Sequence, residues 1–249
     1  VKNAFHIAAR EVFSFFVTPF AWVLLTVWMV VEGLHFYLLA TYYASQSFAV
    51  GDVSDTPVTY FFSGLLFFLP VLIAVPLLTM RLVAEERRTG TMETLLTAPV
   101  RDAEVVFGKY LAAWVFWLAL WAPTALYLPL LSAYGDLDWG AVGAAYIGVA
   151  CLGAYYLALG VLMSTLSGQM AVAGSLTFAA LVLLLLLGLG EYVFLGDAAD
   201  VLAYVNAIGH MESFAKGVVD TRHLVFSLST SALALFLAVR ALEIRRVEG

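Results

Sequence analysis

The sequence predicts an all-α polytopic membrane protein of six transmembrane helices. Three observations carry that prediction. Of the 249 residues, 63% are hydrophobic and 12% charged, with a mean hydropathy of +0.96, whereas soluble globular domains are about half apolar and about a quarter charged. Six apolar runs are near or above the roughly 20 residues that a helix needs to cross a bilayer. The basic residues, finally, are distributed one-sidedly between those runs. The net charge of −6 says little about partners until the charges are placed relative to the bilayer.

The chain opens on "VKNAFHIAAREVFSFFVTP". Lys2, His6 and Arg10 recur at steps of four, with Phe5, Ala9, Val12, Phe13 and Phe16 on another face. This pattern predicts an interfacial amphipathic helix over residues 1–18, its basic edge toward lipid headgroups and its end at Pro19. The runs that follow are Phe20–Tyr43, Val58–Leu82, Val105–Leu131, Ala141–Met163, Met170–Leu189 and His223–Val239. The first is long enough to span and lacks a small-residue cleavage site, so it reads as a span and not as a secretory signal. Everything from 1 to 249 then forms a single transmembrane domain, with spans 1–2 over 20–82 and spans 3–5 over 105–189.

Ten of the twelve Lys and Arg residues fall on one side of a six-span topology. Lys2 and Arg10 precede span 1; Arg81, Arg87, Arg88, Arg101 and Lys109 lie in or beside the loop between spans 2 and 3; Arg240, Arg245 and Arg246 belong to the end of the chain. The first two loops on the other side carry Asp52, Asp55, Asp136 and Asp138 without a basic residue. The positive-inside rule therefore puts both termini in the cytoplasm. Between spans 5 and 6, residues 197–220 are too polar to cross lipid and too apolar for a free loop. They predict one or two short helices re-entering the outer leaflet, which requires protein to cover their backbone.

The loop between spans 2 and 3, "AEERRTGTMETLLTAPV", holds more than a topology signal. Span 2 is expected to continue as a helix through "RLVAEERR" until Gly90 stops it. Thr91 then caps a short helix with Glu93 in its first turn, and Pro99 bars continuation. Met92, Leu95 and Leu96 stand at i, i+3 and i+4, giving that helix one apolar face suited to docking a cytosolic partner. Asp102 can cap span 3, with Glu104 behind it.

These residues also carry a resemblance. "MRLVAEERRTGTMETLLTAPV" followed by "VVFGKYLA" resembles the signature of ABC-2-type permeases, the membrane subunits of a class of ABC exporters. "HMESFAKGVVDTRHLVF" and the terminal "ALEIRR" resemble the gliding-motility-type and copper-reductase-maturation-type branches of that family. The resemblance implies that residues 84–98 form a coupling region, with Glu85, Glu86, Arg87, Gly90, Thr91, Met92, Glu93, Leu95, Leu96 and Pro99 seated in a groove of a separate ABC ATPase subunit. It further implies a second permease copy or close homologue, membrane lipids around the pair, ATP and Mg on the partner ATPase, and a bacterial or archaeal inner membrane. A periplasmic accessory protein is compatible with it, and no nucleic acid is implied. No G-x-x-x-x-G-K-[ST] loop occurs in the sequence, since "GKY" at Gly108 lacks the upstream Gly and the hydroxyl residue. ATP hydrolysis is accordingly expected on the partner chain, with no cofactor and no catalytic residue in this one.

Inside the membrane, Glu32 and His35 stand at i, i+3 near the middle of span 1. An ionisable residue at such depth is a functional hypothesis by default, here a polar patch on a substrate path or at a dimer seam. The other reading is a packing residue bonded to a neighbouring helix. Pro70 and Pro76 in span 2 and Pro123 and Pro129 in span 3 are sites for kinks. Small residues recur at steps of four in span 4 (Ala150, Ala154, Ala158, with Gly160 and Ser164) and span 5 (Ala171, Ser175, Ala179), the pattern of close helix packing, read first as packing within the subunit and second as a dimer seam. His6, His35, His210 and His223 show no metal-ligand spacing, and His210 with Glu212 is expected in a solvated loop. Cys151 is a small packing residue. Three functions remain in play: an ATP-driven exporter permease, a membrane subunit that does mechanical work on another polypeptide, and a polytopic membrane enzyme. The last needs convergent nucleophiles or carboxylates that Glu32 and His35 alone do not supply.

Overall fold

The computed structural model describes residues 2–46, 56–84, 101–132 and 137–248. Every regular element among them is helical: α1 (Lys2–Val17), α2 (Pro19–Gln46), α3 (Pro57–Ser63), α4 (Leu65–Thr79), α5 (Asp102–Trp121), a 3-10 turn (Ala122–Leu126), α6 (Tyr127–Leu131), α7 (Trp139–Leu166), α8 (Met170–Leu189), a second 3-10 turn (Gly190–Tyr192), α9 (Asp197–Ala203), α10 (Ala207–Ala215) and α11 (Thr221–Glu248). Six stretches are long and apolar enough to cross a membrane: Pro19–Tyr43, Pro57–Thr79, Asp102–Leu130, Trp139–Leu166, Met170–Tyr192 and Thr221–Ile244. They coincide with the six expected runs to within a few residues, except that the last extends well beyond Val239.

Helix α7 is the centre of the bundle. It packs against α4, α5, α8, α10 and α11, and it can do so because small residues let the neighbours approach. A Cβ built on Gly153 would stand 2.2 Å from the Trp117 indole nitrogen, and one on Gly160 would stand 2.3 Å from the Thr79 hydroxyl. At those two places the backbone itself is the packing surface, as in other close membrane-helix contacts. The Trp117 indole N–H donates to the Val149 carbonyl at 3.0 Å, fixing α5 on α7.

Two breaks, both in span 2, differ from expectation, and a third falls at an expected kink site in span 3. Span 2 is divided at Gly64 into α3 and α4, with Thr56 capping α3 through its hydroxyl (Thr59 N–H to Oγ1, 3.3 Å), while Pro70 and Pro76 lie inside α4 without ending it. In span 3 the helix tightens into the 3-10 turn that contains Pro123, then resumes as α6, which contains Pro129. Helix α4 also stops at Thr79 and passes into turns over 80–83, so span 2 does not run as one helix into the cytosolic loop.

Helix α1 forms as expected, yet Pro19 opens α2 in place of merely ending α1. Its contact with the bundle uses residues beside the apolar face that was expected against lipid. Ala4 and Ala8 are buried, whereas Phe5 and Phe13 are 60% and 71% exposed. The contacts run in register: Asn3 with Glu104, Ala4 and Ile7 against Gly108, Glu11 with Lys109, Phe15 and Phe16 on the Phe116 ring. Thus α1 lies alongside the first half of α5 and runs in the same direction.

The small-residue rows separate likewise. Ala154, Ala158 and Gly160 of α7 are buried in the bundle, but Ala171, Ser175 and Ala179 of α8 face outward, and Ala173, Thr177 and Leu181 make the inward contacts. The intrasubunit reading holds for span 4, whereas the outward row of span 5 does not pack within the subunit.

Candidate functional site

The residues assigned to the coupling region, Glu85, Glu86, Arg87, Gly90, Thr91, Met92, Glu93, Leu95, Leu96 and Pro99, lie outside the described residues. Their two flanks are described, and both are braced. On the incoming side, the Val83 and Ala84 N–H groups both donate to the Ser164 hydroxyl oxygen, each at 3.2 Å. These are backbone donors that no helix satisfies, and α7 supplies the acceptor. The Arg81 guanidinium lies over the Phe20 ring, 4.7 Å from its centroid, in cation–π geometry.

On the outgoing side α5 begins at Asp102, but the capping position is held by Arg101. The Glu104 carboxylate reaches back to accept from the Arg101 N–H at 3.3 Å and from Asn3 Nδ2 at 3.2 Å. Asp102 is instead the first helical residue, where its negative charge still opposes the helix dipole. Two turns further, Lys109 is 1% exposed and its Nζ donates to Glu11 Oε1 at 3.2 Å. Lys109 is therefore a buried partner of α1 and not a loop charge, a pairing that sequence reasoning missed.

The intramembrane pair is brought together. Buried residues of α2 follow the steps Ala21, Leu24, Trp28, Glu32, His35, Leu39, and the stripe between them faces the bundle. Glu32 is 0% exposed, and its Oε2 stands 3.5 Å from His35 Nδ1. Neither atom has a hydrogen bond of acceptable geometry among the described residues, and the same is true of the neighbouring Trp28 and Trp121 indole nitrogens. His35 stacks on Phe61 (4.8 Å, 13°), Trp28 meets Trp121 edge to face (5.0 Å, 76°), and the Tyr127 hydroxyl donates to the Met29 carbonyl (3.3 Å). An aromatic box thus encloses polar atoms that are costly to bury unpaired.

His210 of α10 and His223 of α11 stack with ring centroids 4.1 Å apart. His210 is buried, which corrects the expectation of a solvated loop, while Glu212 pairs with Lys216. Burial pushes the His210 imidazole down to about 4, reinforced by His223 and opposed by the Tyr204 backbone and Asp220. Helix α10 is capped by Asn206, whose side chain accepts from the Ile208 and Gly209 N–H groups. Among the described residues no three His, Cys, Asp or Glu side chains are arranged to hold a metal ion.

Six apolar spans define a multi-pass membrane protein, and in the chain's sequence no P-loop motif accompanies them. Residues 37–210 match the family described as "ABC-2 family transporter protein". The match covers more than half of the chain, which therefore belongs to that family and is a permease subunit of an ABC transporter. No curated protein matches the chain.

Proposed function

We propose that this chain is the permease half of an ATP-driven exporter, pairing with a second permease and receiving motion from a separate ABC ATPase through the loop over residues 84–98. The family membership and the two braced flanks of that loop support this reading. The observation that carries it is the pinning of Val83 and Ala84 to Ser164, because it ties the loop directly to the most enclosed helix of the bundle. A push on the loop is thereby delivered to α7 on one side and to α5 with α1 on the other. ATP and Mg belong to the partner. Both termini face the cytoplasm of a bacterial or archaeal inner membrane, an orientation that follows from the basic residues. The tail motifs favour the gliding-motility-type or copper-reductase-maturation-type branch.

One observation keeps a mechanical alternative alongside transport. Glu32 and His35 face the inside of their own bundle, so they do not line a surface that a second copy meets. A subunit that moves a periplasmic or membrane partner needs no polar path between two copies.

The test is a mild-detergent pull-down of the tagged chain from its native membrane, with mass spectrometry of what stays bound. The expected result is a P-loop ATPase that is lost in the Leu95→Asp, Leu96→Asp double variant. Retention of that ATPase by the double variant, or its absence from the wild type, removes the coupling assignment. A periplasmic protein recovered alongside the ATPase selects the mechanical reading over export.

A further inference from the structure

We propose that the bundle holds a buried water-binding site beneath the stacked His210 and His223 rings, entered from solvent between those rings. Two hollows meet at this pair. One is an open hollow of about 310 Å³ bordered by the polar side chains of Glu191, Glu212, Ser213 and Lys216. The other lies inside the bundle, measures about 10 Å³ and is bounded by Cys151, Leu152 and Tyr155 of α7, Met211 and Phe214 of α10, and Ser227 of α11. His210 and His223 line both hollows, and among the described residues no other side chain does. With ring centroids 4.1 Å apart and planes at 29°, the two imidazoles are in contact and form the partition.

The inner hollow has the size and the chemistry of a water site. Its volume is about the least that admits one water molecule, and a bound water needs two or more polar partners. Tyr155 is 3% exposed, and its hydroxyl has no hydrogen-bond partner among the described residues; the same holds for Nδ1 of His223. Both residues bound the hollow. A hydroxyl donates or accepts, and a neutral imidazole nitrogen does one or the other, so one water can serve both groups whichever tautomer His223 takes. Without it, two buried polar atoms would each go unpaired at a cost. A metal ion is the poorer occupant, because three ligating side chains are not gathered among the described residues. Cys151 stands 12 residues after Trp139, where α7 begins, which is about 18 Å along the helix at about 1.5 Å per residue. The site therefore reaches the middle of a span. From there Ser227 donates to the Cys151 carbonyl and Ser231 to the Ser227 carbonyl, so hydroxyls continue along α11. The water is the first step of a polar inlet within a single subunit.

Two measurements on the purified full chain in micelles test the site and its entrance. The first is radiolytic footprinting, in which a short X-ray pulse turns bound water into hydroxyl radicals that oxidise the side chains beside it. Met211, 1% exposed and bounding the hollow, is expected to be oxidised in the wild type and spared in Tyr155→Phe, which removes one partner of the water. A wild type with Met211 untouched overturns the water site, as does equal oxidation in Tyr155→Phe. The second uses Cys151, the only cysteine in the chain, as a reporter of entry. Its labelling by a small cationic methanethiosulfonate, which travels through water, is compared with labelling by lipid-soluble N-ethylmaleimide. His210→Ala opens the partition and should raise the ratio of the two rates about tenfold, since thiol reactivity follows access. His223→Ala carries the same test should that variant fail to fold. Adding Ala203→Trp, which fills the open hollow, should return the ratio toward the wild-type value. A ratio unmoved by the histidine variants, or left high by Ala203→Trp, overturns entry between the rings. So does an equal rise in both rates, which marks a loosened bundle. None of these readouts depends on transport or on the ATPase.

Discussion

Lys109 and Glu32 are buried to the same degree, and the molecule treats them in opposite ways. Lys109 has a carboxylate at hydrogen-bond distance, delivered by another helix. Glu32 has a histidine on its own helix, at 3.5 Å and out of line, and orphaned indole nitrogens nearby. A buried charge that is paired holds two elements in a fixed relation, while a buried carboxylate without a good partner is retained at a stability penalty. The contrast separates a lock, between α1 and α5, from a site whose use lies in something other than stability.

The sharpest way to break this contrast is to remove the lock's carboxylate. Glu11→Ala removes a carboxylate partner of the buried Lys109 ammonium and is expected to destabilise the chain by about 1–3 kcal/mol, below the range for a fully broken buried pair because Glu11 is partly exposed. A lowered thermal midpoint in detergent checks it. The double variant Glu11→Leu, Lys109→Met should recover most of the loss, since an apolar pair of similar volume is often neutral. A double variant as unstable as the single one removes the idea of a lock.

His210 stands between the two cases, buried and stacked on a second histidine. The unfolded chain takes up the proton near 6.5 and the folded one near 4. Its contribution is therefore fully present above about pH 6.5 and is lost as pH falls toward 4. Lowering the pH from about 7 to about 5 should cost on the order of 1–2 kcal/mol at this position, read as a fall in thermal midpoint. His210→Gln should flatten that part of the pH profile, whereas Asp220→Asn should steepen it.

The smallest stability effect is expected at Glu32. Glu32→Gln keeps the shape and removes the ionisable group, so expression and thermal midpoint should change by less than about 1 kcal/mol. The ATP-driven activity of the assembled transporter, measured as hydrolysis in proteoliposomes, should nevertheless fall. Unchanged activity returns Glu32 to the role of a packing residue and erases the contrast with Lys109.

The spans were legible in the sequence because a bilayer imposes a length and an apolar composition that few other environments demand. Which face of each helix turns inward was not, because lipid and protein interior are equally apolar. The Ala171, Ser175, Ala179 row patterns like a contact yet points outward. Polar residues resist this ambiguity. Glu32 and His35 fell on the buried stripe of α2 as their spacing allowed. Lys109 was counted with the basic residues in or beside the loop although it lies inside the Val105–Leu131 run, and its pairing with Glu11, the only acid in α1, was not read. The division of span 2 at Gly64 had no counterpart in the sequence reading, where the prolines drew attention from the glycine.

The same-direction register of α1 along α5 has a consequence for synthesis. Glu11 and Lys109 are 98 residues apart. At about 5–20 residues per second, Glu11 leaves the ribosome roughly 5–20 seconds before its partner exists. Through that interval α1 has no bundle to join, and spans 1 and 2 must enter the membrane without it. Its exposed Phe5 and Phe13, with Arg10 beside them, give it a provisional seat on the lipid surface. Helix α1 is thus made well before α5 and fastened late, and closure of the Glu11–Lys109 pair reports that span 3 has arrived.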